Sequence, residues 1–386
     1  MKKDVQKTTG TSGLLTRRQV LSHLAAGAAA VTVAPMAFGS ASTQTNARVL
    51  SSRNHITLAM VGGAHIHAPD FANRMRDTEN VTTKYVWDPN RETAERRQNV
   101  TGGTIVNDPQ VIFDDPEIDG VVICSETKHH IDLVPRAVQA GKHVFAEKPV
   151  GMNGQETRQI ARLVHQQGVI FQTGYFMRSD PVNQKVRELV QNGTMGEITR
   201  IRTSNVHSGA IGGWFDGEWR WMADVDQAGV GAFGDMGSHA MDLMLWVLAG
   251  DTPRRCTGFV DSVLYRYPGC DEYGEGMVVF ASGAVGTVTG GWVSYANPNQ
   301  LELHGTKGFL RVTNGRLYAQ IPELETRGNE PWEDLPEHAG NPLQLFFRAV
   351  AGEQNLPLIN VDEAAMANTV LTKIYNSHSS GRWEWI

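Results

Sequence analysis

Cysteine is scarce in this sequence, with three among 386 residues, Cys124, Cys256 and Cys270. Three cysteines are too few for a disulfide scaffold, and the absence of any C-x-x-C pair excludes a zinc ribbon. A Cys256–Cys270 disulfide is a pairing that we leave open and do not favour. An excess of positive charge is also missing, since the net charge is −6. Because non-specific nucleic-acid binding needs a basic surface, we expect no nucleic-acid partner.

The sequence also has little that could cross a membrane. The apolar run Leu24–Phe38, in which only Thr32 is polar, is too short and alanine-rich to be a convincing span. It follows the arginine pair Arg17 and Arg18 and precedes small residues suited to cleavage. Residues 1–41 therefore read as a twin-arginine (Tat) signal peptide. The alternative is an uncleaved N-terminal anchor.

A Tat signal carries several expectations. The protein should be periplasmic or otherwise exported, with the Tat translocase as its export partner and no stable membrane span once the signal is removed. Tat substrates cross the membrane folded, often with a cofactor already bound. The polar residues 42–54 that follow read as a linker or arm.

Two different patterns of strands and helices follow the predicted signal peptide and linker. In residues 55–173, short apolar strands alternate with helical patterns of ~10–15 residues, which predicts βαβ units and a parallel sheet. In residues 174–340, strand-like runs follow one another, which predicts an α+β domain with an antiparallel or mixed sheet. Two helices in residues 341–386 are expected to pack back on the first domain. The predicted fold class is α/β, with two domains.

The segment VGGAHIHAPDF lies where the first strand should turn into the first helix. A Rossmann dinucleotide-binding turn needs little side chain there, because backbone N–H groups must approach the pyrophosphate. The G-x-G-x-x-G pattern falls on Gly62, Ala64 and His67, so only its first position is glycine. Asp88 supports the interpretation, since an acidic residue ~20 positions further on binds ribose hydroxyls. The predicted cofactor contacts in the loop are Gly62, Gly63, Ala64, His65, Ile66 and His67.

Two alternatives stay open at this loop. Arg91 lies close after the acidic residue and could hold a 2′-phosphate, so the cofactor is NAD or NADP. His65 and His67 could instead present two imidazoles to one metal ion, with His129 or His130 as a third ligand. The dinucleotide is favoured, and we expect no metal.

The segment HVFAEKPVG, residues 143–151, carries the strongest local signal for chemistry. A Lys148–Pro149 pair at the carboxyl end of a buried strand projects its lysine into the crevice where α/β sheets bind ligands. The structural alternative is a surface lysine at a strand end.

A second cluster lies in GAFGDMGSHAMDLMLWVLAG, where Asp235, His239 and Asp242 fall on one helical face. A carboxylate can set the orientation or basicity of the imidazole, which should then titrate near neutrality and suit proton transfer from a sugar hydroxyl during hydride removal. The alternative is a helix N-terminus in which Asp235 is a cap and His239 is a core residue.

Together these segments resemble the Gfo/Idh/MocA family of dehydrogenases, which includes glucose–fructose oxidoreductase and inositol dehydrogenases, from about Ile56 to the C-terminus. The family's E-K-P and D-x-x-x-H motifs stand here as Glu147, Lys148, Pro149, Asp235 and His239. Its T-P-N-x-x-H keeps His130 and, conservatively, Ser125, while Glu126 and Thr127 replace the proline and asparagine. These replacements, with Ala64 and His67, bear on the affinity for the cofactor and on its choice.

The resemblance implies the roles of the site residues. Lys148, Asp235 and His239 would be catalytic, with Lys148 beside the nicotinamide and His239 as acid/base. Ser125, His130, Glu147 and Lys148 would join Asp88 and Arg91 as cofactor contacts. Arg178 and Trp221 would contact substrate together with the catalytic group, and Trp214, Trp219 and Trp292 could also stack on sugars.

The resemblance also implies an activity and an assembly. The substrate would be a hydroxyl of a sugar, sugar derivative or cyclitol. The large open sheet of the second domain would form a homodimer or homotetramer. Because free NAD(H) is scarce outside the cytoplasm, the cofactor should be tightly bound and regenerated within the cycle. One alternative is a redox-assisted glycoside hydrolase or lyase that uses the same site. Another is a non-catalytic sugar-binding protein.

Overall fold

A computed structural model describes residues 55–386, and the expected signal peptide and linker lie outside these residues. The described chain folds around two sheets, one of six strands and one of eight. None of the helices between residues 55 and 386 has the length and hydropathy needed to cross a membrane.

The first sheet is entirely parallel and has the strand order β3-β2-β1-β4-β5-β6. Its strands are β1 (Ile56–Val61), β2 (Val81–Trp87), β3 (Thr104–Ile105), β4 (Gly120–Ile123), β5 (His143–Ala146) and β6 (Phe171–Thr173). The side chains of β4 are all buried, as expected where helices cover both faces of a parallel sheet. The strand order reverses between β1 and β4, which opens a crevice at their carboxyl ends.

Five helices connect these strands: α1 (Ala68–Asp77), α2 (Arg91–Thr101), α3 (Gln110–Asp114), α4 (His130–Gln139) and α5 (Gly154–Gln167). Asn90 and Asn153 begin α2 and α5, because each side chain accepts hydrogen bonds from the first free backbone N–H groups. Gly102 and Gly168 end the same helices in the left-handed conformation. The parallel sheet predicted for this part of the chain is confirmed.

The second sheet has the order β13-β12-β11-β7-β10-β9-β8-β14 and is antiparallel except where β7 pairs with β10. Its strands are β7 (Ile198–Val206), β8 (Pro253–Asp261), β9 (Tyr273–Phe280), β10 (Val285–Gly291), β11 (Asn299–Gly305), β12 (Gly308–Thr313), β13 (Arg316–Gln320) and β14 (Glu384–Trp385). The predicted mixed, mostly antiparallel sheet is also confirmed, and with it the α/β fold class.

The remaining helices are α6 (Pro181–Gln191), α7 (Val225–Ala228), α8 (Ala232–Val247), α9 (Pro342–Val350) and α10 (Val361–Ser380). Helix α8 lies against β7 and β10. A side chain at Gly290 of β10 would lie 2.6 Å from the backbone nitrogen of Gly237. The glycine therefore lets helix and strand approach closely, which holds the first turn of α8 against the sheet.

Helix α10 joins the hydrophobic cores of the two sheets. It begins with a capping box between Asn360 and Glu363. Ala364 packs in the cluster under the first sheet, whereas Leu371 and Ile374 pack in the cluster under the second. Helix α9, in contrast, packs on β5 and β6. The domain limits at residues 173 and 340 stay predictions.

All three cysteines are buried and free, so the Cys256–Cys270 disulfide left open by the sequence does not form. Cys256 lies within β8, where its side chain contacts the backbone of α10 instead.

An ion-pair network ties the turn after β6 to both long helices. Arg178 donates through Nε and Nη2 to Asp242 of α8, at 2.8 and 2.5 Å, and through Nη1 to Glu363 of α10 at 2.7 Å. Asp242 is fully buried. The sequence offered Arg178 as a substrate contact, but its guanidinium is occupied by these two carboxylates. Asp242 likewise belongs to this network although it shares a helical face with Asp235 and His239.

Replacing Arg178 by methionine should destabilise the fold by about 3–5 kcal/mol, because a buried carboxylate is left unpaired. Urea unfolding measures this loss, and adding Asp242→Leu should recover most of it. The matched control is Arg91→Met, since Arg91 forms an exposed pair with Glu95 and should cost below about 1 kcal/mol. A double variant as unstable as Arg178→Met would contradict this account of the network.

Candidate active site

A buried ion pair joins the end of β5 to the start of α8. Lys148 follows β5, its bond to Pro149 is cis, and its side chain is 3% exposed. Its Nζ donates to Asp235 Oδ1 at 2.7 Å, and Trp292 Nε1 donates to the other oxygen of Asp235 at 2.9 Å. The two sequence motifs thus meet directly, as the predicted catalytic group requires.

His239 lies one helical turn after Asp235 and is also buried. Within residues 55–386 its Nδ1 has no hydrogen-bond partner. Burial, and then the positive charge of Lys148, lower the pKa of His239 well below its ordinary value of 6.5. The imidazole is therefore neutral at pH 7, and the same shift makes it a weaker base than a free histidine.

For the neighbouring Asp235, charge and hydrogen bonds outweigh the effect of burial on the pKa. Burial alone would raise the pKa of Asp235, but the charge of Lys148 and the hydrogen bonds from Lys148 and Trp292 outweigh it and lower the pKa to about 2. The expectation that Asp235 would bring His239 to titrate near neutrality is wrong. The carboxylate bonds to the lysine and the tryptophan, and His239 is left in a buried, cationic environment.

The expected dinucleotide loop lies at the crevice between β1 and β4. Gly62 has φ +80°, and a Cβ there would lie 2.5 Å from the Cβ of Ser125, so this first position requires glycine. The N–H of Gly63 donates to Asp88 Oδ2 at 2.7 Å. The acidic residue therefore reaches the loop, as its spacing predicts. Burial raises the pKa of Asp88 to about 6, despite backbone hydrogen bonds from Gly63 and Asn90.

Arg91 and His130, which were predicted as cofactor contacts, have partners outside the loop, whereas Ile66 lies within it. Arg91 is exposed and pairs with Glu95 at 2.8 Å. His130 is buried, with Nδ1 3.2 Å from the carbonyl oxygen of Pro149, so it contacts the segment that carries Lys148. Ile66 is half-buried and packs with the cluster that contains Ala64 and Trp221.

The tryptophans differ from the expected sugar-stacking platform. The indole N–H of Trp221 donates to the Ala64 carbonyl at 3.0 Å, and its ring is buried over the loop. Trp292 is fully buried against Asp235. Trp219 is half-buried, packed against the same cluster. Of the four, only Trp214 is largely exposed, and it stacks on His207 with ring centroids 4.7 Å apart.

A separate cluster lies next to Lys148 and consists of His65, His67 and Glu147. Glu147 is fully buried, with Oε1 3.3 Å from His67 Nδ1. Candidate ligand atoms of the three residues all lie within 4.8 Å of one another. His129 and His130, which the sequence offered as a third ligand, are not part of this group, and Glu147 is its third member.

The residues of the crevice fit a dinucleotide. Glu126 Oε2 is buried and has no hydrogen-bond partner within the described chain, and the charge of Glu126 acts on Asp88. Two carboxylates at the end of the β1–β4 crevice suit the hydroxyl donors of a ribose. The glycine loop before α1 suits a pyrophosphate.

Some residues of the site carried no signal in the sequence. Arg97 Nε donates to the Gly63 carbonyl at 3.1 Å, and Glu218 pairs with the same guanidinium at 2.9 Å. Trp292, which orients Asp235, is 57 positions away from it. The sequence named Trp292 as a possible sugar-stacking residue and gave no sign of its bond to Asp235.

Comparison with known proteins agrees with this geometry. Residues 56–175 match the model of an oxidoreductase family with an NAD-binding Rossmann fold, and residues 183–311 match the GFO/IDH/MocA C-terminal domain. The chain is 27% identical to inositol 2-dehydrogenase of Rhizobium meliloti (strain 1021) over 262 residues, which cover 65% of this chain and 76% of that protein. It is 26% identical to the uncharacterized oxidoreductase YrbE of Bacillus subtilis (strain 168), over 55% of this chain and 60% of that protein.

A solved structure with a similar fold is aldose–aldose oxidoreductase from Caulobacter crescentus complexed with glycerol. Its TM-score is 0.71 at 18% identity, with 86% of this chain and 100% of that chain covered. At this identity the likeness shows the fold.

Stability should depend on pH through His130. Burial lowers its pKa to about 4, below the ordinary 6.5. Between these values the unfolded chain binds a proton that the folded protein does not, so stability is lost as pH falls below about 6.5, by about 1.4 kcal/mol per pH unit from this residue. His130→Asn should remove that part of the slope in urea unfolding at several pH values, and His129→Asn, at the more exposed neighbour, should not. An unchanged slope in His130→Asn would contradict the prediction.

Proposed function

The chain belongs to the Gfo/Idh/MocA family of oxidoreductases, and we propose that it transfers a hydride between tightly held NAD and a hydroxyl-bearing carbon of a sugar or cyclitol. The observation that carries this proposal is the Lys148–Asp235 pair, buried beside a neutral His239 at the carboxyl end of the NAD-binding sheet. The similarity to a protein named inositol 2-dehydrogenase supports the substrate class.

The chain's own residues divide the work of substrate oxidation. NAD, when bound, supplies the hydride acceptor. His239 takes the proton of the substrate hydroxyl, a role that suits an imidazole that is neutral at pH 7. Lys148 places its amine nitrogen where negative charge forms on the substrate oxygen. Asp235 holds that nitrogen in place and is itself held by Trp292.

The crevice favours NAD over NADP. Asp88 and Glu126 present carboxylates that would accept hydrogen bonds from both ribose hydroxyls and repel a 2′-phosphate. Arg91, the residue that could compensate that phosphate, pairs with Glu95 at the surface. Gly62, Gly63 and Ala64 would lie along the pyrophosphate, and Ser125 would support the loop from β4.

The predicted export of the protein leads us to propose a reaction cycle that regenerates the bound cofactor. A Tat-exported, periplasmic enzyme meets little free NAD(H), so one sugar would be oxidised and a second reduced, which leaves the bound cofactor unchanged overall. The similar fold of a protein titled aldose–aldose oxidoreductase supports such a paired reaction. We also propose a homodimer or homotetramer through the outer face of the second sheet, where Tyr273, Glu275 and Met277 alternate as exposed residues of β9.

The cofactor can be identified directly. Purified protein, denatured and analysed by mass spectrometry, should release NAD rather than NADP. In Asp88→Asn, which keeps the side chain's size, NAD should bind about tenfold or more weakly, and the preference over NADP should shrink, because a charged acceptor is lost. Arg91→Ala should leave both affinities unchanged. Protein that releases no dinucleotide and binds none on reconstitution would contradict the proposed NAD-dependent hydride transfer.

The catalytic roles of Lys148 and His239 are tested by measuring turnover and NAD binding separately. Lys148→Met and His239→Asn should each lower kcat about 10²–10⁴-fold, since each group acts on the reacting hydroxyl. NAD binding should change little in His239→Asn. Because Lys148→Met leaves the buried Asp235 unpaired, it is compared with Lys148→Met/Asp235→Asn, and kcat is measured on protein that urea unfolding shows to be folded. Sugars, cyclitols and glycosides form the substrate panel, and nicotinamide absorbance gives the readout. Lys84→Met and His165→Asn, at ion-paired surface positions, are matched controls.

Two outcomes would contradict this assignment. Turnover that survives in His239→Asn would remove the proposed base. Cleavage of glycosides that Lys148→Met abolishes, without net oxidation of any sugar, would replace the proposed reaction by redox-assisted glycoside cleavage.

A further inference from the structure

Glu147 is a buried carboxylate with too few partners. It is fully buried, and within residues 55–386 its Oε2 has no hydrogen-bond partner. Oε1 has one partner, His67 Nδ1, at 3.3 Å. The adjacent Lys148 donates to Asp235 rather than to Glu147. Because buried polar atoms are normally hydrogen-bonded, the unpartnered Oε2 leaves this carboxylate able to take a further partner besides the neighbouring His67 and Lys148.

Two histidines surround the same carboxylate. His65 is 2% exposed, and His67 is half-buried. One nitrogen of each imidazole and one oxygen of Glu147 all lie within 4.8 Å of one another.

From this geometry we infer a site for one divalent transition-metal ion, Zn²⁺ in the first place, held by His65, His67 and Glu147. Bonds of about 2.1 Å place tetrahedral zinc ligands about 3.4 Å apart. The 3.3 Å between His67 Nδ1 and Glu147 Oε1 already has this spacing. Since all three ligand atoms lie within 4.8 Å of one another, small side-chain shifts complete the set. If it binds through Nδ1, the ion replaces a long hydrogen bond, 3.2 Å, from the His67 N–H.

Two imidazoles and one carboxylate favour zinc over Mg²⁺ and Ca²⁺, which prefer oxygen ligands throughout. Three protein ligands leave a fourth position open, as in catalytic zinc sites. A cavity of about 170 Å³, lined among others by His67, Gly174 and Phe176, reaches the cluster from outside.

Gly174 makes the space around the carboxylate. A Cβ at this position would lie 2.8 Å from both oxygens of Glu147. The glycine therefore leaves room for the Glu147 carboxylate itself, and it also lines the cavity. The inferred ion would also account for two histidines in a loop where a dinucleotide alone calls for small residues.

Zinc binding can be measured without substrate or NAD, so its failure would leave the proposed hydride transfer untouched. Full-length protein is stripped with a chelator and titrated with Zn²⁺ against a chromophoric competitor. We expect about one ion per chain, and an affinity lowered about 100-fold or more in His67→Asn and in Glu147→Gln. His129→Asn, at the histidine that the sequence also offered as a ligand, should bind zinc as the wild type does.

A second measurement covers the case in which Glu147→Gln fails to fold. Co²⁺ replaces Zn²⁺ in the wild type and in His67→Asn, and the visible absorption of tetrahedral Co²⁺ should appear in the wild type alone. Wild-type protein that binds zinc no more tightly than His67→Asn, and shows no such absorption, overturns the inference. In that outcome the pair is a histidine–carboxylate contact without a metal.

Discussion

The ion pair between Lys148 and Asp235 is the interaction on which the site depends. The lysine follows β5 of the parallel sheet, and the aspartate lies in the first turn of α8, which packs on the other sheet. Since both groups are buried, neither charge is tolerable without its partner. The pair therefore fixes the end of β5 against the start of α8, and the catalytic group exists only when both parts of the chain have folded together.

Helix α8 uses one face for two purposes. Its first turns carry Asp235 and His239 to Lys148, and the next turn carries Asp242 to Arg178. The Arg178 network continues to α10, which packs in both hydrophobic cores. The charges that hold the helix in place are thus separate from those that act on substrate. Within the described chain Nδ1 of His239 has no hydrogen-bond partner, and the imidazole is neutral, which leaves a ring nitrogen available to a substrate hydroxyl.

Sequence patterns predicted the features that depend on residues close together in the chain. The order of strand and helix patterns predicted both sheets, and the distance of Asp88 from the glycine loop predicted its place there. Two short motifs contained Lys148, Asp235 and His239. Partners distant in the chain left no such pattern. Arg178 meets Asp242 across 64 positions, and His67 meets Glu147 across 80. Trp221 was predicted to contact substrate, yet its ring is buried and its N–H is bonded to the Ala64 carbonyl in the folded protein. Such contacts arise from how the sheets assemble, which periodicity does not encode.

The central claim is that the Lys148–Asp235 pair and His239 act on a hydroxyl held beside the nicotinamide. A crystal structure with NAD and a bound sugar or cyclitol tests this most directly. The account predicts the dinucleotide along the β1–β4 crevice, with its adenosine ribose at Asp88 and one substrate hydroxyl between Lys148 Nζ and the His239 ring. A dinucleotide bound outside this crevice, or a substrate whose hydroxyls contact neither side chain, would contradict it.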